Sequence, residues 1–104
     1  MVSTKQQILD IAMNLNRIGN WAADRYEAKQ KRIILFLEQT NAYVKSLKNV
    51  RFSPQFDPTM KSFLPIFQSL YTEGLETPRN SEIWAEKMMT WGNILTHRAS
   101  LLSS

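Results

Sequence analysis

The N-terminal half of the chain carries one hydrophobic pattern that no proline interrupts, and this pattern limits the chain to a helical fold. Ser3 and Gln6 precede it with the spacing of a capping box, which predicts a helix start. Apolar residues recurring three and four positions apart are typical of a helix that buries one stripe. The stripe begins with Ile8, Ile11, Leu15, Ile18 and Ala22, and continues through Tyr26, Lys29, Ile33, Leu37, Thr40, Val44 and Leu47.

The pattern crosses Gly19 and Asn20 without losing phase. A glycine followed by asparagine can end one helix and begin another, but a tight corner would normally reset the phase. We therefore predict one long or kinked helix over about residues 4–48, bent at Gly19 if anywhere, and keep a break at Gly19-Asn20 as the alternative. A continuous helix of that length would extend about 66 Å, too far for a compact monomer.

The second half of the chain predicts two shorter helices, over about residues 58–73 and 78–101. Asp57-Pro58 is a typical helix start, Pro65 predicts a kink or restart, and Gly74 predicts the end. The last helix would be capped by Thr77 or Ser81. Its apolar stripe comprises Trp84, Met88, Trp91, Leu95, Arg98 and Leu102. The 104 residues are thus expected to form one all-α domain, residues 1–104, built as a small helical bundle.

Five consecutive apolar residues lie within the proposed long helix. At about 100° per residue, such a run points in every direction around the helix axis and must be covered on all sides. Two short helices can hardly enclose it, so we expect a homodimer with these residues at the shared core. The alternative is a monomeric four-helix bundle in which this turn is central. The run is Ile33, Ile34, Leu35, Phe36 and Leu37.

Three basic residues share one helix face beside this stripe. Arg25, Lys29 and Arg32 are spaced by four and three, and no acidic residue stands three or four positions from any of them. Trp21 lies one turn before Arg25 and could stack on its guanidinium. These four residues form a predicted interaction face for an acidic protein surface or a phosphate backbone. The alternative is that Glu73, Glu76 or Glu86 neutralises the basic residues from other helices.

Catalytic and metal-binding patterns are missing from the sequence. The chain has no cysteine and a single histidine, His97, without a partner at metal-ligand spacing. Its carboxylates lie outside the apolar stripes, where no raised pKa is expected. We therefore expect no catalytic residue, no metal and no cofactor. The N-terminus does not resemble a secretory signal and no apolar run is long enough to cross a membrane, so we expect a cytoplasmic protein without membrane contact.

These patterns predict a small non-catalytic protein that binds another protein as a regulator or adaptor. The net charge of +4 favours an acidic partner but is too small to identify nucleic acid. A basic nucleic-acid-binding module is the first alternative. The second is a small-ligand-binding bundle or an enzyme with an apolar pocket near Trp84 and Trp91. Gly19 and Gly92, each beside a tryptophan, are interpreted as notches for close packing rather than as parts of such a pocket.

Overall fold

The computed structural model describes residues 2–102, and every regular element within that range is helical. This confirms the all-α prediction. The molecule measures 38 × 23 × 19 Å, well short of the length of the predicted continuous helix. The elements are α1 (Thr4–Arg25), a 3₁₀ turn (Glu27–Lys29), α2 (Gln30–Ser46), α3 (Asp57–Glu76), α4 (Ser81–Arg98) and a closing 3₁₀ turn (Ala99–Leu101).

Helix α1 begins and continues as the sequence predicts. The Ser3 hydroxyl accepts a hydrogen bond from the Gln6 backbone N–H at 3.1 Å, so the predicted cap is present. The helix then passes through Gly19 without a break and ends at Arg25. The alternative of a break at Gly19-Asn20 is therefore wrong.

The single long helix is also wrong, because the chain reverses direction between Tyr26 and Lys29. Asn14 Nδ2 donates to Gln39 Oε1 at 3.0 Å, while the rings of Trp21 and Phe36 lie 4.9 Å apart. Since residues earlier in α1 contact residues later in α2, the two helices are antiparallel. Together they form a hairpin, and the fold is a four-helix bundle rather than a long helix with two short ones.

The reversal is held by contacts from the other half of the chain. Lys29 leaves the helical region, with φ −115° and ψ 14°. The Tyr26 hydroxyl donates to the Gly74 carbonyl at 2.6 Å, and its ring meets Trp84 edge-on at 5.9 Å. No glycine or proline marks this turn. Its cause is tertiary packing, which the local sequence does not record.

Helices α3 and α4 differ from expectation at their ends. Pro65 lies inside α3 without restarting it. Its missing N–H is on an exposed position, where water can satisfy the freed carbonyl of the preceding turn. Gly74 does not end the helix, which continues to Glu76 and stops where Thr77 adopts a φ of 87°. Asn80, rather than Thr77 or Ser81, caps α4 by accepting from the Ile83 N–H at 3.1 Å.

The glycines of α1 and α4 are close-approach notches, as the packing interpretation predicts. A Cβ atom at Gly19 would collide with Met89 and stand 3.0 Å from the Ala85 carbonyl oxygen. One at Gly92 would stand 2.6 Å from the Asn16 side-chain oxygen. Each notch thus receives the opposite helix, and the two lie in one α1–α4 interface.

The apolar run of α2 is mostly covered by the bundle itself. Ile33 and Leu37 are fully buried, and Ile34 and Phe36 are half-buried. Leu35 faces outward with 65% of its surface exposed. The hairpin explains the difference, because folding α2 back onto α1 covers sides that a straight helix would expose. Ile33 and Leu37 therefore belong to the core of one chain and not to a shared dimer core.

Candidate interaction surface

Two members of the predicted interaction face, Trp21 and Arg32, come together where α1 packs against α2. Trp21 is half-buried on α1, with its ring edge-on to Phe36 of α2. The Arg32 guanidinium carbon lies 5.2 Å above the centre of the Trp21 ring, close enough for a cation–π contact. The aromatic pair is thus fixed by contacts from both helices, and Arg32 is held over it.

Arg25 does not make the predicted stack with Trp21. It lies on α1 one turn after Trp21 and is exposed, while Arg32 takes the place above the ring. The sequence placed both arginines on one continuous helix. The hairpin instead brings Arg32 of α2 over the Trp21 ring, while Arg25 of α1 stays exposed one turn after Trp21.

Lys29 is neutralised locally. Its Nζ lies 2.7 Å from Asp24 Oδ2. The hydrogen bond from Lys29 and its charge lower the pKa of the Asp24 carboxyl, which stays ionised at neutral pH. The predicted helical spacing missed this pair because the 3₁₀ turn brings together residues five positions apart. The predicted alternative partners Glu73, Glu76 and Glu86 form no ion pair with Arg25, Lys29 or Arg32 in the described part of the chain.

Arg17 lies one turn before Trp21 on α1, although the sequence interpretation omitted it. Arg17, Trp21 and Arg25 follow one another at intervals of four along α1, so they occupy one row on the helix. That spacing was readable in the sequence, but nothing there showed that Trp21 contacts α2. Among residues 2–102, Arg17, Arg25 and Arg32 form no ion pair. We call this set the Trp21 surface: Arg17, Trp21, Arg25, Arg32 and Phe36.

A separate cleft adjoins Trp91, between the start of α3 and the end of α4. It has a volume of about 620 Å³, and its walls include Thr59, Trp91, His97 and Arg98. Trp84 takes no part in it: this residue is 1% exposed, and its indole N–H donates to the Leu70 carbonyl at 3.0 Å. Only one of the two tryptophans suspected of lining a pocket therefore does so.

Metal binding and membrane spanning find no support in the described residues. No three His, Cys, Asp or Glu side chains between residues 2 and 102 come close enough to share a metal ion. No helix in the same range has the length and apolar character needed to cross a membrane.

Comparison with known proteins adds no relative. The chain matches no protein family, and neither a curated protein nor a solved structure shows significant similarity to it. Functional proposals for this chain must therefore start from its own surfaces.

Proposed function

We propose that this chain is a non-catalytic interaction protein whose Trp21 surface binds an acidic partner protein. The observation that carries the proposal is the Trp21–Phe36 aromatic pair with Arg32 over its tryptophan, flanked on α1 by Arg17 and Arg25, while none of the three arginines has an ion-pair partner among residues 2–102. Arg17 and Arg25 lie one turn before and one turn after Trp21 on α1, and all three arginines are exposed. The helix hairpin brings Trp21 into contact with Phe36 and Arg32 over the Trp21 ring.

The chemistry of this surface suits carboxylates. A guanidinium can donate two parallel hydrogen bonds to one carboxylate, which gives geometric as well as electrostatic selectivity. Tryptophan and arginine are also the residues that most often dominate binding energy at protein interfaces. The largely buried Asn14 donates a hydrogen bond to Gln39, which links α1 to α2. The aromatic pair is thus in place before binding, whereas the exposed arginine side chains lose conformational freedom when a partner binds.

Reversing the three arginines should abolish partner capture without unfolding the protein. We expect Arg17→Glu, Arg25→Glu and Arg32→Glu together to remove the acidic proteins retained by the wild-type chain on an affinity column. Bound proteins would be quantified by mass spectrometry, and helicity by circular dichroism. A matched control reverses Arg51, Arg79 and Lys87, which are also exposed and lie outside the Trp21 surface. If both variants lose partner capture equally, or if the variant with Arg17, Arg25 and Arg32 reversed loses none, the Trp21 surface is not the binding site.

A nucleic-acid-binding module is the alternative function of the same surface, because arginines and an aromatic ring can also take phosphates and bases. Binding of a single-stranded oligonucleotide would then fall log-linearly with salt concentration. The control variant and the wild type would show that slope, and the arginine-reversal variant would lose binding. Absence of binding at low salt eliminates this alternative.

The homodimer is retained as a proposal with a smaller contact than the sequence suggested. Of the five residues assigned to its core, Leu35 alone is exposed. A two-fold contact through Leu35 would give a solution mass of twice 12.1 kDa by light scattering. Leu35→Glu should then return the mass to that of one chain. If the wild-type protein has the mass of one chain at all concentrations, the homodimer proposal is wrong.

A further inference from the structure

A groove lies where the end of α2 meets the start of α3. Its volume is about 380 Å³, within the range of small-molecule sites. Leu47 and Met60, both almost fully buried, form the floor. Half-buried Phe52 forms a wall, and Leu64 stands at the rim with 42% of its surface exposed. The groove is therefore apolar and already formed without a ligand.

Positive charge borders this apolar floor. Lys45 and Lys48 line the groove from α2 and the segment that follows it, and both are exposed. Neither forms an ion pair with any residue from 2 to 102. Lys61 lines the groove from α3 and pairs with Asp57 at 3.0 Å. Three ammonium groups thus stand around one apolar site, against a single carboxylate.

The geometry points to a binding site for a free fatty acid of medium chain length. Its alkyl chain would lie on Leu47, Met60 and Leu64, and its carboxylate would pair with Lys45 and Lys48. An apolar tail with one negative end is the ligand that this combination complements, since the tail gains from burial and the head from charge. The site is separate from the Trp21 surface, because none of the residues lining it belongs to that surface.

The size of the groove favours one alkyl chain over a helix of a partner protein. A docked helix places anchors over two turns and needs a long open trough. Here the cavity holds only about 380 Å³, and its lining comes from the end of α2, the segment that follows it and the start of α3. A cavity of this size suits a short alkyl chain better than two turns of a helix.

Titration calorimetry with monomeric decanoate tests the site directly. We expect one decanoate bound per chain, with octanoate about 15-fold weaker, since each buried methylene contributes about fourfold in affinity. Decyltrimethylammonium, which has the same tail and the opposite charge, should bind at least 10-fold more weakly. Phosphatidylglycerol vesicles should not retain the protein.

Two pairs of variants separate this groove from general adsorption of detergent-like molecules. Leu64→Gln should weaken decanoate binding at least fivefold, while Ile66→Gln should leave it unchanged. Ile66 is the matched control because it lies on the same helix, is 37% exposed and does not line the groove. Lys45→Gln with Lys48→Gln should remove the preference for the anionic head, and Lys31→Gln with Lys87→Gln should preserve it.

Several results would overturn the assignment. No decanoate binding at millimolar concentration refutes it, as does equal binding of the two head groups. Equal loss from Leu64→Gln and Ile66→Gln would show adsorption without a site. Retention of the protein by vesicles would indicate that the groove binds a membrane. Binding of an acidic amphipathic peptide without binding of decanoate would indicate that it binds a protein.

Discussion

Replacing Trp84 with alanine is expected to lower the free energy of unfolding by about 4 kcal/mol, the typical cost of removing a fully buried aromatic ring. Trp84 is 1% exposed, and its indole fills the space between Tyr26 and Gly74. The substitution also removes the donor to the Leu70 carbonyl. Small domains are stable by only about 5–10 kcal/mol, so a large part of the stability would be lost.

Urea unfolding followed by circular dichroism measures this loss. Trp91→Ala is the matched control, since Trp91 is only half-buried and its ring lies 5.5 Å from Phe63 at the edge of the core. We expect the control to cost about 2 kcal/mol or less, because less area leaves the interior. Equal costs for the two variants would contradict the position of Trp84 at the centre of the bundle.

The contacts of Trp84 show which parts of the fold could be predicted from the sequence and which could not. The stripe from Ile8 to Leu47 identified buried positions on both sides of the turn, because burial follows helical spacing whether or not the chain reverses. The reversal itself depends on Tyr26 reaching Gly74 and Trp84, which lie about fifty residues further along. A local pattern carries no record of such a contact. Without a glycine or proline at the turn, the continuous phase was taken for a continuous helix.

The candidate surface could likewise be predicted only in part from the sequence. Helical spacing was enough to associate Trp21 with nearby positive charge. It could not show that Arg32 returns over the ring from a second helix, or that Phe36 completes the aromatic pair. The sequence interpretation also missed the ion pair between Lys29 and Asp24. It considered only helical neighbours three and four positions apart, whereas the turn brings together two residues that are five positions apart.

Gly74→Ala is the second substitution with a large expected effect. A Cβ atom at Gly74 would lie 2.6 Å from Trp84 Cζ2 and 2.7 Å from Leu37 Cδ1. The indole cannot retreat easily, because its N–H is bonded to the Leu70 carbonyl. We expect a net loss of about 2 kcal/mol in the free energy of unfolding, although alanine alone would favour the helix by about 1 kcal/mol.

Gly92→Ala is the matched control, because it adds the same methyl group to a helical glycine with a softer neighbour. The group in the way is the Asn16 side-chain amide, which is half-buried and forms no side-chain hydrogen bond with any described residue. The amide can rotate, so we expect stability within about 1 kcal/mol of the wild type. Comparison of the two alanine variants by urea unfolding separates the cost of a rigid obstacle from that of a flexible one.

The two alanine variants also test the proposed function, because the Gly74 carbonyl accepts the hydrogen bond that fixes Tyr26 at the hairpin turn. A displaced α3 backbone would loosen that turn and, with it, the placement of Arg32 over Trp21. Gly74→Ala should therefore weaken partner capture as well as stability, whereas Gly92→Ala should change neither by much. Loss of stability with undiminished capture would show that the Trp21 surface keeps its geometry without the Tyr26–Gly74 hydrogen bond.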